Sequence, residues 1–415
     1  MALVLIGALL VLSLVTTSAI VFWFFYALTV LVVVSYFWTK SAADNLRIRR
    51  TLANKWATTG DAIDEEILLS NLGRLPILLV ELDDQSNLPG YSASVAENLD
   101  GRQTKRWISS GRALRRGLFS LGPMTVRTGD PFGIFLAEFD FPQVSTLVVY
   151  PPISVMPDFR IPTGSFFGNT RSNIRSPQVT ADASSVRELV PGDEMKRIHW
   201  LSTARKMTLM VEEFDLEPAA SVWLVLDMHR AVQSGSGDES TEEYAVKIAS
   251  ALAYQQVRDG KSVGLAAFGR ERILVEPQKG TRQLWRILEQ LATVSANGTA
   301  PFAEFLTETA PAFGRGMSLV AISPSSDLDW GTAMLNLGGR GLFPGAVLID
   351  SESFGGTGSN KEVRELLATA GVSLRTVRQG QKFETIRAEI GADSYSGATP
   401  RSAFAVSRTA SSARA

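Results

Sequence analysis

The chain has 415 residues, a formal net charge of -1 and a hydrophobic content of 45%. That length admits two or three domains with packed cores, and that charge leaves no global basic field to recruit nucleic acid. There are no cysteines and only two histidines, His199 and His229, which excludes disulfides, thiolate metal sites, cysteine nucleophiles and any histidine-rich metal cluster.

Residues 1–39 contain no Asp, Glu, Lys, Arg or His. One straight helix over that span would be about 58 Å long at about 1.5 Å per residue. The hydrocarbon core of a bilayer is about 30 Å thick and needs about 20 residues. The surplus predicts a transmembrane hairpin, with spans at 2–15 and 19–38 and the turn at Ser13, Thr16, Thr17 and Ser18. The first span is short and would thin the bilayer locally. A cleaved signal peptide is the rival reading, but it lacks the basic n-region, and a second apolar span follows at once. The aromatic groups Trp23, Phe24, Phe25, Tyr26 and Tyr36, Phe37, Trp38 suit the two interfaces of the second span; the plainer reading makes them bulky lipid-facing residues. Lys40, Arg47, Arg49, Arg50 and Lys55 follow, against the single acid Asp44. This basic juxtamembrane segment, 40–58, predicts a cell-membrane protein whose soluble domains are cytoplasmic.

From 59 to 150 the pattern is β. Short apolar runs at 63–70, 76–82, 118–125 and 145–150 are separated by turn residues, which predicts a β-sandwich. The groups Arg115-Arg116-Gly117, Gly122-Pro123 and Asp130-Pro131-Phe132-Gly133 read first as turn chemistry, because Gly supplies positive φ and Pro presets φ. Residues 151–186 are a linker rich in Pro, Ser, Gly and Asn.

An α/β domain is expected over 187–391. Its opening stretch, RELVPGDEMKRIHWLSTARKMTLMV at 187–211, packs a turn at Pro191-Gly192-Asp193, a short polar helix and an outgoing strand. Asp193 is positioned to cap that helix, which should run to Ala204 with Ile198, Leu201 and Trp200 inward and Lys196, Arg197 and Arg205 outward. The run 221–226 is almost wholly apolar, as a strand buried on both faces requires, and leads to Asp227. Helical spacing over 242–257 and helices at 281–291 and 360–370 alternate with strands at 262–268, 317–322, 342–349 and 372–377. A short strand at 272–275 is placed to pair with 262–268. This rhythm predicts a parallel sheet with helices on both faces. Residues 392–415 read as a disordered tail.

The stretch 187–211 resembles the motif of a bacterial membrane-protein family, domain of unknown function 58. The segment GRALRRGLFSLGPMTVRTGDPFGIF is also similar to that family, through its "RRG", "GP" and "DPFG" turns. The resemblance covers about residues 40 to 270. It implies a von Willebrand factor A-like (Rossmann-type) α/β domain behind a β-sandwich and a membrane anchor, with a MoxR-type AAA+ ATPase as partner. Arg187, Gly192, Asp193, Arg197, His199, Trp200 and Arg205 match its pattern. An Arg–Asp lattice fastening the helix is one account of them. A partner-docking face anchored by Trp200 and Arg197 is the other.

In A-type domains the first strand opens an Asp-x-Ser-x-Ser loop that holds Mg²⁺. Here the loop reads Asp227-Met228-His229-Arg230-Ala231, so two of its three ligands are missing; Ser234 and Ser236 would need a rearranged loop. The plain reading of Asp227 is a turn cap or a partner for Arg230. Asp259-Gly260-Lys261-Ser262 imitates the end of a phosphate loop, but Gln255 stands where the earlier Gly belongs. The expected protein is a membrane-anchored, non-enzymatic adaptor or scaffold without a cofactor. The alternative is a Mg²⁺-dependent adhesion or ligand-binding module built on Asp227. A hydrolase would need Asp193, Asp227 and His199 to converge, and no nucleophile elbow stands ready for His199.

Overall fold

The computed structural model describes residues 2–16, 19–156, 159–162, 185–189, 195, 198–213 and 221–385. It divides into two compact units: Met1–Pro152 with Leu291–Thr293, and Ile153–Gln290 with Val294–Ala415.

The first unit opens with two helices, α1 (Ala2–Val15) and α2 (Ala19–Asn45). Thr17 and Ser18, in the expected turn, lie outside the described residues. The second helix is long and apolar enough to cross a membrane. It runs beyond Trp38 to Asn45 and buries a stripe of Val32, Ser35, Thr39 and Ala42, spaced so that all four share one face.

Ten strands follow: β1 (Leu46–Leu52), β2 (Trp56–Thr58), β3 (Ala62–Asn71), β4 (Ile77–Asp84), β5 (Val95–Leu99), β6 (Thr104–Arg112), β7 (Gly117–Leu121), β8 (Met124–Gly129), β9 (Leu136–Phe141) and β10 (Ser145–Tyr150). They form sheets in the orders β1-β3-β6, β5-β4-β8-β9 and β2-β10-β7. In β3 alternate residues Ile63, Glu65, Ile67 and Leu69 are buried, the period of a strand with one face on a core. Their partners in that core include Val80, Leu82, Leu121, Val126, Leu147 and Val149, so side chains of all three sheets pack together. The basic segment 40–58 is folded: it finishes α2 and supplies β1 and β2. Arg50, counted above as a juxtamembrane charge, is buried.

The second unit carries the hairpin of β12 (Ser185–Glu188) and β13 (Met210–Glu213) with α3 (Trp200–Lys206) between them; β11 (Ser154–Val155) precedes it. Its main sheet follows, from β14 (Val222–Leu226), β17 (Val263–Phe268), β18 (Arg272–Gln278), β19 (Ser318–Ser323), β20 (Phe343–Ile349) and β21 (Ser373–Val377); the two-residue strands β15 (Gly235–Ser236) and β16 (Glu239–Ser240) pair locally. The helices are α4 (Thr241–Arg258), α5 (Thr281–Thr293), α6 (Phe302–Thr309), α7 (Leu328–Gly339) and α8 (Lys361–Thr369). The order β18-β17-β14-β19-β20-β21 makes a mixed sheet: β18 pairs antiparallel with β17 and every other neighbouring pair is parallel. All five residues of β14 are buried, as expected of a central parallel strand. Trp223 and Val225 pack with Phe302, Phe305, Trp330, Met334, Val363 and Leu367 from α6, α7 and α8.

Candidate functional site

The chain passes from β14 outward to β17 and β18, then returns to place β19 on the other side of β14. The strand order reverses there, and the crevice beyond the carboxyl ends of β14 and β19 is where open α/β sheets take ligands. Asp227 follows β14 into that crevice. Its Oδ1 accepts from the His229 backbone N–H at 3.1 Å, and its Oδ2 from the Ser323 hydroxyl at 2.6 Å. Ser323 ends β19, so residues 96 positions apart meet at the switch point.

A relay of short turns continues from Ser323. Its Oγ accepts from Ser325 N, Ser325 Oγ accepts from Asp327 N, and Asp327 caps α7 by accepting from Asp329 N. The Trp330 indole closes the relay on the Ser325 carbonyl at 3.3 Å. Serine and aspartate favour such local bonds over helix interiors, which is why the sequence Ser323-Pro324-Ser325-Ser326-Asp327 stops a strand and starts a helix. Ser323 was missed in the sequence because its partner is a crossover away. Its one signal was a hydroxyl at the end of a buried strand.

Burial pushes the Asp227 carboxyl up to about 6; the Ser323 and His229 bonds pull it back, and Asp327 adds repulsion. No ion pair joins Asp227 to Arg230 among the described residues. The turn-cap reading of Asp227 is the observed one. Neighbouring positions of the loop make further contacts. Gln233 Nε2 donates to the Asp227 carbonyl at 2.9 Å, Thr241 Oγ1 donates to Gln233 Oε1 at 2.7 Å, and Ser234 sits against Gly356.

This donor set does not fit Mg²⁺. Both carboxylate oxygens accept protein hydrogen bonds, the carboxyl is buried, and positions 229 and 231 offer imidazole and a methyl group. Hard cations require several oxygens around an open octahedral position. No group of three or more His, Asp or Glu gathers among the described residues.

The family-motif residues are differently placed. Gly192, Asp193, Glu194, Lys196 and Arg197 lie outside the described residues. Arg187 is in β12, paired with Val211. His199 is the N-cap of α3: its Nδ1 accepts from Ser202 N at 3.1 Å and lies 2.8 Å from Ser202 Oγ. The helix expected to run from Asp193 to Ala204 is therefore Trp200–Lys206. Ile198 is extended instead, bridging Val211, and the extended His199 that follows marks the true start.

The expectation that Trp200 and Leu201 point inward is also corrected. Trp200 is 68% and Leu201 62% exposed, and no residue of α3 is buried. The cause is the tether. His199 N donates to Met210 O at 2.8 Å and Met210 N donates to Thr203 Oγ1 at 3.0 Å. Residues 199 and 203 thus hold α3 to β13, and positions 200, 201, 204 and 205 turn away. Met195 and, at the C-cap, Met207 (88% exposed) are exposed as well, and Arg205 and Lys206 lie in the last turn of α3.

Comparison with known proteins places a family name on part of this unit. Residues 185–327 match the family model described as protein of unknown function DUF58. The resemblance drawn from 187–211 is borne out over that stretch. An uncharacterized protein of Bacillus subtilis, YeaD, is 24% identical over 263 residues, 60% of this chain and 62% of that protein. The uncharacterized protein Rv1480 of Mycobacterium tuberculosis is 28% identical over 105 residues, 25% of this chain and 33% of that protein. The chain thus spans less than two thirds of either relative. Among solved structures, the CARDB domain of a Pyrococcus furiosus protein is 16% identical over 25% of this chain and 94% of its own, with TM-score 0.19. The pilus adhesin SpaC of Lactobacillus rhamnosus GG is 11% identical over 40% of this chain and 29% of its own, with TM-score 0.31. Neither likeness carries an argument.

Proposed function

We propose that this chain is a membrane-anchored, non-enzymatic adaptor or scaffold that docks a partner protein through the α3 hairpin of a von Willebrand A-like domain. The partner in this reading is a MoxR-type AAA+ ATPase, as the family resemblance implies. The anchor is a hairpin of α1 and α2, and both soluble units face the cytoplasm.

The observation that carries the reading is the exposure of Trp200. A tryptophan and a leucine held outward on a seven-residue helix, flanked by Met207 and Arg205, cost hydrophobic free energy unless something covers them. Trp and Arg are the residues most enriched in interface hot spots. Meanwhile the groups a hydrolase would recruit are engaged in structure: His199 caps α3 and Asp227 caps a turn.

The test is crosslinking of the full-length protein in native membranes, followed by identification of what is captured. Trp200→Ala, Arg205→Glu and Arg197→Glu are expected to abolish capture of an ATPase. Trp200 and Arg205 are exposed, so their variants should melt like the parent. Undiminished capture in all three variants sinks the proposal.

A further inference from the structure

In two uncharged stretches of the first unit, LPILLV at 75–80 and PFGIFLA at 131–137, several apolar side chains lie at the surface, while Ile77 and Val80 enter the core. Leu75, Leu78, Leu79, Phe132 and Leu136 are all exposed, Phe132 at 59% and Leu136 at 69%. They form one neighbourhood. Thr128 in β8 pairs with Val80 and donates from Oγ1 to the Leu79 carbonyl at 3.0 Å, and its neighbour Gly129 pairs with Leu136. Contiguous apolar surface of this kind marks an interaction site.

The same neighbourhood grips α2. The Trp38 indole donates to the Pro76 carbonyl at 3.1 Å, and the Tyr36 and Phe135 rings meet edge-on at 5.8 Å. The helix packs along β8 and β9 and buries Val32, Ser35, Thr39 and Ala42. Tyr36, whose ring meets Phe135, lies two residues before Trp38, so about 3 Å deeper along the helix. Amphipathic surfaces that lie on bilayers bury their apolar faces to about 5–10 Å. A body gripping α2 at Tyr36 therefore brings the hairpin tip beside the apolar part of α2, where apolar side chains meet acyl chains.

We propose that the 75–79 bend and the 130–136 hairpin tip form a membrane foot, with Leu78, Leu79, Phe132 and Leu136 seated in the headgroup–acyl boundary of the bilayer that α2 crosses. This rests on the reading of α2 as a membrane anchor. The one acid at the tip is no obstacle. Asp130 is buried, and its oxygens accept from Phe135 N at 2.6 Å and Phe132 N at 2.9 Å. Burial works against its charge, but those backbone bonds hold its carboxyl below the ordinary range. The Asp-Pro-Phe-Gly turn is thereby a rigid mount that displays Phe132. Exposed Lys40, Arg47 and Arg74 border α2 and the bend and suit anionic headgroups. Exposed Glu138 retreats from the tip, two residues and about 7 Å along β9 from Leu136, and pairs with Arg127 at 2.8 Å.

The chain has no cysteine, so a single introduced thiol can be labelled cleanly. Full-length Phe132→Cys, Leu136→Cys, Val30→Cys and Ala62→Cys are labelled with bimane. Each is reconstituted into phosphatidylcholine–phosphatidylglycerol vesicles carrying nitroxide lipid. Val30 is an exposed α2 position; Ala62 starts β3, at the opposite end from Asn71. The expected result is blue-shifted, quenched emission at 132 and 136, as at 30, with water-like, unquenched emission at 62. Quenching at 30 with water-like emission at 132 and 136 overturns the foot and leaves the anchor standing. Water-like emission at 30 overturns both. Equal quenching at 62 and 132 signals general adsorption and also overturns the foot.

Discussion

Arg50 and Asp84 meet inside the β unit: Nη1 of the guanidinium donates to Oδ1 of the carboxylate at 2.8 Å, with both side chains wholly buried. The same guanidinium serves Glu65 through Nε and the Ser86 hydroxyl through Nη2, and Tyr91 also bonds Glu65. Burial opposes the Arg50 charge, yet its bonds to Glu65 and Asp84 hold its pKa above the ordinary value. Burial and Glu65 push the Tyr91 phenol up as well.

Removing that guanidinium leaves two carboxylates uncompensated in the core. Arg50→Met should cost about 3–5 kcal/mol in denaturant unfolding. Arg50→Lys should recover little, because an ammonium point charge cannot serve three acceptors in a planar fork. A loss below about 1 kcal/mol in Arg50→Met, the size of an exposed pair, would contradict this account.

Asp227 predicts a pH signature. Its folded pKa of about 6 lies above the ordinary 3.8, so the folded state holds the proton more tightly than the unfolded state. The contribution is therefore fully present below the unfolded pKa and is lost as pH rises through the folded one. A shift of about two units corresponds to about 3 kcal/mol. The stability of the parent minus that of Asp227→Asn should fall by that order between about pH 4 and pH 6. A difference that stays flat across this window would refute the assignment.

Gly298 touches two backbone carbonyls at the same crevice. A Cβ there would stand 2.4 Å from Phe268 O and 2.9 Å from Met228 O, where Gly298 N donates to Met228 O at 3.0 Å and Gly298 bridges His229. Gly298→Ala must push β-strand ends apart, so we expect roughly 1–3 kcal/mol of destabilisation. Hydrogen exchange at the amides of residue 298 and Arg230, which donate to Met228 O and Gly298 O, should quicken. An unshifted melting curve would refute the close packing.

His199 is tested by comparing two substitutions. His199→Ala removes the α3 cap and should cost about 1 kcal/mol, whereas His199→Asn restores a capping acceptor and most of that loss. The readout is the unfolding of the α3 hairpin by hydrogen exchange. Equal damage from both would point to a role for the imidazole beyond capping.

Much of this was legible along the chain. The two apolar helices, the all-buried β14, the pairing of β17 with β18 and the position of Asp227 at a carboxyl end all follow from local spacing. Arg50 was misread because charge counts along a sequence cannot distinguish a solvated arginine from one whose acids arrive 15 and 34 residues later. Trp200 was misread because helical periodicity gives a face but not its direction, and the direction was set by the Thr203–Met210 tether.

Hydropathy and periodicity are properties of neighbouring residues, so the apolar helices, the β region and the alternating α/β unit could be read before any folding. Which carboxylates are neutralised, which tryptophan faces water and which hydroxyl meets Asp227 depend on groups brought together across crossovers. Those choices are made by desolvation and hydrogen-bond geometry in the packed chain, where a buried charge must find its partner and an apolar side chain left outside must find another surface.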